Sequence, residues 1–283
     1  MPILITGAGG MLAQDLVSAA GAAGLESVAL ARSELDITDQ VAVKAAVSRV
    51  RPDVVVNCAA WTDVDGAESA LDYALAVNGE GAGNLARAAT EACAWTVQIS
   101  SDYVFDGAKQ EPYVESDPTA PLSAYGRSKL AGEEAVARAA PDAHTVVRSS
   151  WLFGAGGPCF PATILRLGAE RDQLSVVDDQ VGCPTFTGHL ARALVALVAG
   201  ERPLGIVHLA AAGSCSWFEL ANEIVSLSGL ECEIRPRSTA EMPRPARRPA
   251  YSVLGTERRG ETPALEHWRE GLQQYMAAKA PAR

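Results

Sequence analysis

The stretch PILITGAGGMLA, residues 2–13, decides how this chain is read. Pro2 to Thr6 is a short apolar run suited to a buried strand, Gly7-Ala8-Gly9-Gly10 follows it, and Leu12, Leu16 and Val17 then recur on one side of a helix. The order is strand, glycine turn, helix. Glycine suits such a turn because the chain reverses tightly and brings its backbone close to a pyrophosphate, whose charge rests on the free N–H groups of the helix start. The spacing is Gly7-x-x-Gly10-x-x-Ala13, with alanine where a third glycine would let helix and strand pack closely. In this context the segment predicts a dinucleotide site rather than a structural turn.

Outward from it, strand-like runs at Ser27 to Ala31, Asp53 to Cys58, Thr96 to Ser100 and His144 to Arg148 alternate with alanine-rich helical stretches. A further strand, Gly205 to Ala210, follows a helix over Thr187 to Ala199. That alternation predicts an α/β protein with a doubly wound parallel sheet covered on both faces. After Trp151 the character changes to glycine, proline and irregular pieces (FGAGGPCFP, DDQVGCPTF, RPRSTAEMPRPARRPAYSVL). The expected division is a dinucleotide-binding domain over residues 1–150, with 185–212 returning to it, and a smaller C-terminal substrate-binding lobe made mostly of 151–184 and 213–283.

With 283 residues, 48% of them hydrophobic, the chain has enough apolar material for one large core and an appended lobe, which excludes a disordered or solvated tail. The net charge of −10 and the lack of a basic stripe argue against nucleic acid as a partner. Six scattered cysteines without a CxxC spacing predict neither a zinc site nor a disulfide framework, and read as reduced thiols. The first strand begins at Pro2, which leaves no room for a signal peptide, and the apolar run near Leu190 to Ala199 is short and holds Arg192. A soluble cytoplasmic protein with no membrane partner is the expectation.

The strongest chemical signal is Tyr125 and Lys129 in LSAYGRSKLAGEEAV, four residues apart and so on one face of a helix. A phenol ionises near pKa ~10, and an ammonium beside it favours the phenolate and brings proton transfer within range. The strand ends are polar too: Asn57 to Asp63 after the third strand, Ser100 to Tyr103 after the fourth. Ala59 and Ala60 are small enough for a flat ring to lie against the backbone, and the Ser101 hydroxyl can hydrogen-bond the oxygen that Tyr125 protonates. Ordinary cap and turn chemistry is the competing reading of these polar residues.

These residues, with LDITD, VVNCAAWTDVDGAE, SSDYVFDG, RSSWLFG, DDQVGCPT and RRPAYSVL, resemble the extended short-chain dehydrogenase/reductases and, within them, the dTDP-4-dehydrorhamnose reductase family. The resemblance runs from Ile3 to about Trp268. It implies a Rossmann domain in which Ser101, Tyr125 and Lys129 form the catalytic set and a nicotinamide cofactor delivers hydride to a dTDP-4-keto-deoxysugar. Tyr125 would protonate the alkoxide, Lys129 would lower the pKa of Tyr125 and hold the ribose, and Ser101 would position the carbonyl. The cofactor residues it implies are Gly7, Gly10, Met11 and Leu12 at the pyrophosphate, Asp36 and Ile37 at the adenine, and Ala59, Ala60, Trp61 and Thr62 towards the nicotinamide. Asp102 and Trp151 fall where the family contacts its substrate.

Ala31-Arg32-Ser33 stands where an NAD enzyme would place an acid on the ribose, so Arg32 favours NADPH over NADH, with Glu34 close enough to oppose that reading. The segment Met242 to Leu254 carries Arg244, Arg247 and Arg248 among prolines, and Arg247 is assigned to the substrate diphosphate. Magnesium at a homodimer contact is known in the family and maps here no further than Asp15. Tyr103 stands where a sugar-nucleotide dehydratase needs an acid/base carboxylate, which disfavours dehydration. Two other readings stay open: reduction of a different dTDP-4-keto-deoxysugar, and a non-catalytic NADP-binding subunit like the regulatory subunit of methionine adenosyltransferase.

Overall fold

The computed structural model describes residues 1–279. In chain order it contains β1 (Ile3–Thr6), α1 (Met11–Ala22), β2 (Ser27–Leu30), α2 (Gln40–Val50), β3 (Val54–Asn57), α3 (Leu71–Leu75), a π turn (Ala76–Gly81), α4 (Ala82–Glu91), β4 (Trp95–Ser101), α5 (Ala124–Ala139) and β5 (His144–Ser149). Then come β6 (Leu152–Phe153), α6 (Phe160–Glu170), β7 (Gln173–Val177), β8 (Val181–Gly182), β9 (Thr185–Phe186), α7 (Thr187–Ala199) and β10 (Gly205–His208). The last elements are β11 (Cys215–Ser216), α8 (Trp217–Ser228), β12 (Glu233–Arg237) and α9 (Trp268–Lys279).

Six strands form one parallel sheet in the order β10-β5-β4-β3-β1-β2. Alternation of side chains splits each strand between two layers. Ile3, Ile5, Val54 and Val56 pack with Leu12 and Leu16 of α1 and Leu190 and Leu194 of α7, while Leu4 and Val55 pack with Val43 and Val47 of α2 and Leu85 of α4. Each such side chain, fully removed from water, contributes roughly 1.5–3 kcal/mol. Because both faces are covered, β1 and β3 run apolar through Ile3-Leu4-Ile5 and Val54-Val55-Val56 without alternation, while β4 and β5 place buried Thr96, Gln98, Thr145 and Arg148 among apolar residues.

From β1 the chain goes to β2 on one side and then crosses to β3 on the other. This reversal opens a crevice beyond the carboxyl ends of β1 and β3, the place where doubly wound sheets bind ligands.

A second core joins Phe153, Ile164, Leu174, Leu220, Ile224, Ile234, Trp268, Leu272 and Tyr275. Its frame is α6, α8 and α9 around the parallel pair β7 and β12. All three stretches expected to be irregular contain regular elements, and DDQVGCPTF holds β8 and β9. FGAGGPCFP ends inside α6, since Pro161 lies in the first helical turn, where a missing N–H costs nothing. RPRSTAEMPR begins with the last residues of β12, an edge strand that tolerates Pro236.

Candidate active site

The glycine turn lies at the crevice. Gly7 has φ +73°, and a Cβ there would stand 2.7 Å from the Ala59 nitrogen, so both its conformation and its contact with the loop after β3 require glycine. The Gly10 N–H donates to the Gly7 carbonyl at 2.9 Å and closes the turn. Gly10 is also the cap of α1, with no side chain capping the helix start and no acid in its first turn. A Cβ on Gly9 would meet nothing within 4 Å, so bare backbone at the positive end of a 12-residue helix faces open space. That cradle fits a diphosphate. Leu12 is in the sheet core, so only its backbone can serve such a group, while the Met11 side chain rests against Gly157.

Beyond β2, the exposed Arg32 donates through Nη2 to the Tyr73 hydroxyl at 2.5 Å, and its guanidinium lies 5.8 Å from the Tyr73 ring centre. Tyr73 in turn meets Trp61 edge-on at 5.0 Å. The Glu34 carboxylate accepts from the Ala31 N–H at 2.9 Å and is thus folded back onto its own turn. Asp36 accepts from both the N–H and the hydroxyl of Thr38, which holds its carboxyl below the usual range. Ile37 is buried against Gly81, and Thr62 is exposed.

On the other side of the crevice α5 presents Tyr125 and Lys129. Ser123 caps this helix by accepting from the Gly126 N–H at 3.1 Å. A Cβ on Gly126 would lie 2.2 Å from the Tyr103 carbonyl, so glycine lets the helix lean on the loop after β4. Ser101, the last residue of β4, donates to Asp102 Oδ1 at 3.0 Å, accepts from the Tyr103 N–H at 3.2 Å and neighbours the Tyr125 phenol. Lys129 is 4% exposed, and its Nζ donates to the Ile99 carbonyl at 2.7 Å. Burial pulls its pKa down to about 8, with Glu133 and Cys58 opposing the fall.

One expectation is corrected here. Lys129 was expected to lower the pKa of Tyr125, yet burial pushes the phenol up to about 12, offset in part by the neighbouring Ser101 hydroxyl and reinforced by Asp102. The Lys129 ammonium, given to the Ile99 carbonyl, does not outweigh that burial. A phenol in that setting keeps its proton at neutral pH, which suits a proton donor.

Asn78, in the π turn, was not singled out by the sequence. It is buried, accepts from the Trp61 N–H at 2.8 Å, and donates to the Trp61 carbonyl at 3.0 Å and to Ser128 Oγ at 2.8 Å. It therefore ties the loop bearing Ala59 to Thr62 to the helix bearing Tyr125 and Lys129. A lone asparagine in an alanine-rich helix carries no periodic signal. Asn57 makes a similar tie across strands, accepting from the Thr6 hydroxyl and the Ala59 N–H and donating to Gln98.

A cavity of about 770 Å³ opens between the second core and the segment 239–248, lined by Phe160, Val176, Trp217, Arg244, Arg247 and Arg248 among others. Asp65 anchors that segment: Arg248 grips it with two 3.0 Å hydrogen bonds, and Arg244 is 3.6 Å away. Arg248 also lies close to Tyr103, whose ring meets Tyr125 edge-on at 5.7 Å. Arg247 is exposed and has no ion pair among the described residues.

Asp102 is 1% exposed, has no hydrogen-bond partner on Oδ2, and is pushed up to about 7 by burial despite the Ser252 and Ser101 hydroxyls. Trp151 is the other residue that the resemblance places at the substrate. It stacks on Trp217 at 3.5 Å, and Gly182 sits so close that a Cβ there would be 2.4 Å from Trp151 Cε2. Trp217 lines the cavity and Trp151 supports it from behind.

Asp15 accepts from the Thr187 hydroxyl, and among the described residues no group of three or more His, Cys, Asp or Glu is placed to hold a metal ion. No helix among them is long and apolar enough to cross a membrane.

The sheet order and the glycine turn at its reversal are those of the extended short-chain dehydrogenase/reductases. The profile of the RmlD substrate binding domain matches residues 1–280. A dTDP-4-dehydrorhamnose reductase of Streptomyces griseus is 47% identical over 97% of this chain and 93% of its own length. A dTDP-4-keto-6-deoxy-D-glucose reductase of Streptomyces niveus is 43% identical over 96% and 95%. The crystal structure of dTDP-4-dehydrorhamnose reductase from Bacillus anthracis in complex with NADP is 37% identical, covers 98% of this chain and 99% of that one, and superposes with a TM-score of 0.95. The chain belongs to the dTDP-4-dehydrorhamnose reductase family.

Proposed function

We propose that this protein reduces the 4-keto group of dTDP-4-dehydro-L-rhamnose to the hydroxyl of dTDP-L-rhamnose, using NADPH. The observation that carries the reading is the Ser101, Tyr125 and Lys129 set, in which the hydroxyl at the end of β4 neighbours the Tyr125 phenol and the buried Lys129 follows one turn on along α5. The names of the Streptomyces griseus relative and of the NADP-bound Bacillus anthracis structure support it. The reduced nicotinamide, when bound, supplies a hydride to the keto carbon. Ser101 Oγ holds the carbonyl oxygen. Tyr125 gives its phenolic proton to the alkoxide and is left as phenolate, which the Lys129 ammonium stabilises until solvent returns the proton. A phenol at about 12 is protonated at the start of each turnover, so this direction needs no prior activation.

Gly7, Gly10 and the backbone of Met11 and Leu12 hold the diphosphate of the cofactor. Arg32, presented by Tyr73, takes the 2′-phosphate, and the turned-back Glu34 leaves that place to the guanidinium. Asp36 and Ile37 flank the adenine. Arg247 meets the diphosphate of the nucleotide sugar, and Asp102 contacts the sugar. Residues 151–184 and 213–279 supply most of the substrate side, and the remaining 280–283 of the expected lobe lie outside the described residues.

The test is loss of NADPH absorbance on adding dTDP-4-dehydro-L-rhamnose, with dTDP-4-keto-6-deoxy-D-glucose as comparison because relatives at 47% and 43% identity carry names for these two sugars. Tyr125→Phe is expected to bind NADPH within about threefold of the parent and to lose roughly 10²–10⁴ of turnover. Bound cofactor without turnover of either sugar in the parent protein would refute the enzyme reading.

A further inference from the structure

We propose that Glu133, pinned by Arg148 and Ser100, is a positioning residue that keeps the buried Lys129 in its ammonium form. This rests on the role given to Lys129 above. Tyr125, Lys129 and Glu133 follow one another at intervals of four on α5 and so share one face. Glu133 is 4% exposed and its carboxylate is fully engaged: Oε1 accepts from Ser100 Oγ at 2.5 Å and Arg148 Nε at 2.9 Å, and Oε2 from Arg148 Nη2 at 2.7 Å. Arg148 is 2% exposed, lies 5.0 Å from the Phe105 ring centre, and has no partner on Nη1.

Two adjacent serines at the end of β4 thus divide their work by the pleat, Ser101 turned to the crevice and Ser100 to the buried carboxylate.

Charge counting gives the pair its consequence. The groups facing Lys129 are Tyr125 and Glu133 on its own helix, Cys58 at the end of β3, the Ile99 carbonyl of β4 and, through Glu133, Arg148 of β5. Burial pushes the Cys58 thiol up to about 12, and Tyr125 stays neutral, so neither is an anion at neutral pH. Glu133 is the anion that opposes the desolvation of Lys129. It is shared with Arg148, so two buried cations divide one carboxylate. Without that carboxylate, both cations stand unbalanced in a low dielectric, and lysine, which can shed its proton where arginine cannot, is the one to discharge.

A purely structural role, tying α5 to β5, predicts lost stability and no change in how Lys129 titrates. The experiment is the pH profile of kcat/KM for the full chain, the parent beside Glu133→Gln and Arg148→Met, with thermal melting and NADPH binding by fluorescence. The parent is expected to lose activity above about pH 8, as Lys129 discharges. Glu133→Gln should bring that alkaline limb down by about one pH unit or more, with NADPH binding at pH 6 within about threefold of the parent. Arg148→Met should move the limb up, because the carboxylate then serves Lys129 alone.

Opposite displacements support the proposal. If Glu133→Gln does not fold, an upward limb in Arg148→Met supports it and an unmoved limb there overturns it. A folded Glu133→Gln whose limb coincides with the parent overturns it while leaving the role of Lys129 intact. A parent profile with no alkaline limb overturns the role of Lys129, and the proposal with it.

Discussion

Replacing Lys129 by methionine should make the protein more stable while abolishing its chemistry. In the fold the ammonium loses its water and exchanges it for one carbonyl and a shared carboxylate. Its pKa falls from the ordinary 10.5 to about 8, and at about 1.4 kcal/mol per tenfold change in proton affinity that fall is a folding cost of ~3 kcal/mol. Methionine avoids the cost, keeps the length of the stem and leaves Glu133 paired one to one with Arg148. Against this stands the hydrogen bond to the Ile99 carbonyl, about 1 kcal/mol. The net is a gain of about 2 kcal/mol, or roughly 4–8 °C in Tm.

The sign with pH follows from the same shift. The penalty is complete while lysine is charged in both states, below about pH 8, and fades as pH rises towards 10.5, where the unfolded chain also gives up its proton. The assay is denaturant unfolding of parent and variant at pH 7 and pH 9.5. The advantage of the variant should shrink at the higher pH. A variant less stable than the parent at pH 7, or an advantage that grows with pH, would refute the claim that burial of this charge is the dominant cost at the site.

Arg247→Glu should raise KM for the nucleotide sugar by about tenfold or more with kcat within about threefold, since it reverses a charge on the cavity wall and leaves the reacting hydroxyls untouched; steady-state kinetics at two salt concentrations check this. Gly7→Ala forces φ +73° on a residue with a Cβ 2.7 Å from the Ala59 nitrogen, and should cost about 1–3 kcal/mol and most NADPH binding, read by thermal melting and fluorescence titration. Arg32→Ala should weaken NADPH by about tenfold while changing NADH by less than about threefold, as competitive binding titrations would show; equal losses for both would remove the 2′-phosphate role.

The sheet was legible because short runs rich in β-branched and apolar residues recur between alanine-rich helical stretches. The six observed strands begin and end within two residues of the expected runs, and α7 spans the expected Thr187 to Ala199. Tyr125 and Lys129 could be read because a helix converts a spacing of four into adjacency, which needs no tertiary knowledge. What escaped depends on contacts distant in sequence: Asn78 reaching Trp61 and Ser128, Asp65 gripping Arg248, and Trp217 covering the face of Trp151. The direction of the Tyr125 shift was missed for a related reason. Spacing shows that an amine is near a phenol, but whether burial outweighs it is set by the walls that the rest of the chain builds.

The second core draws on residues 153–176, 211–234 and 268–275, so the polypeptide enters and leaves it repeatedly. No single cut releases that half of the molecule as an autonomous unit. Retargeting the protein to another hexose by recombination would therefore need several crossovers placed together, and a library that exchanges one contiguous block should yield mostly insoluble chimaeras, whereas point changes around Trp217 and Arg247 leave the weave intact.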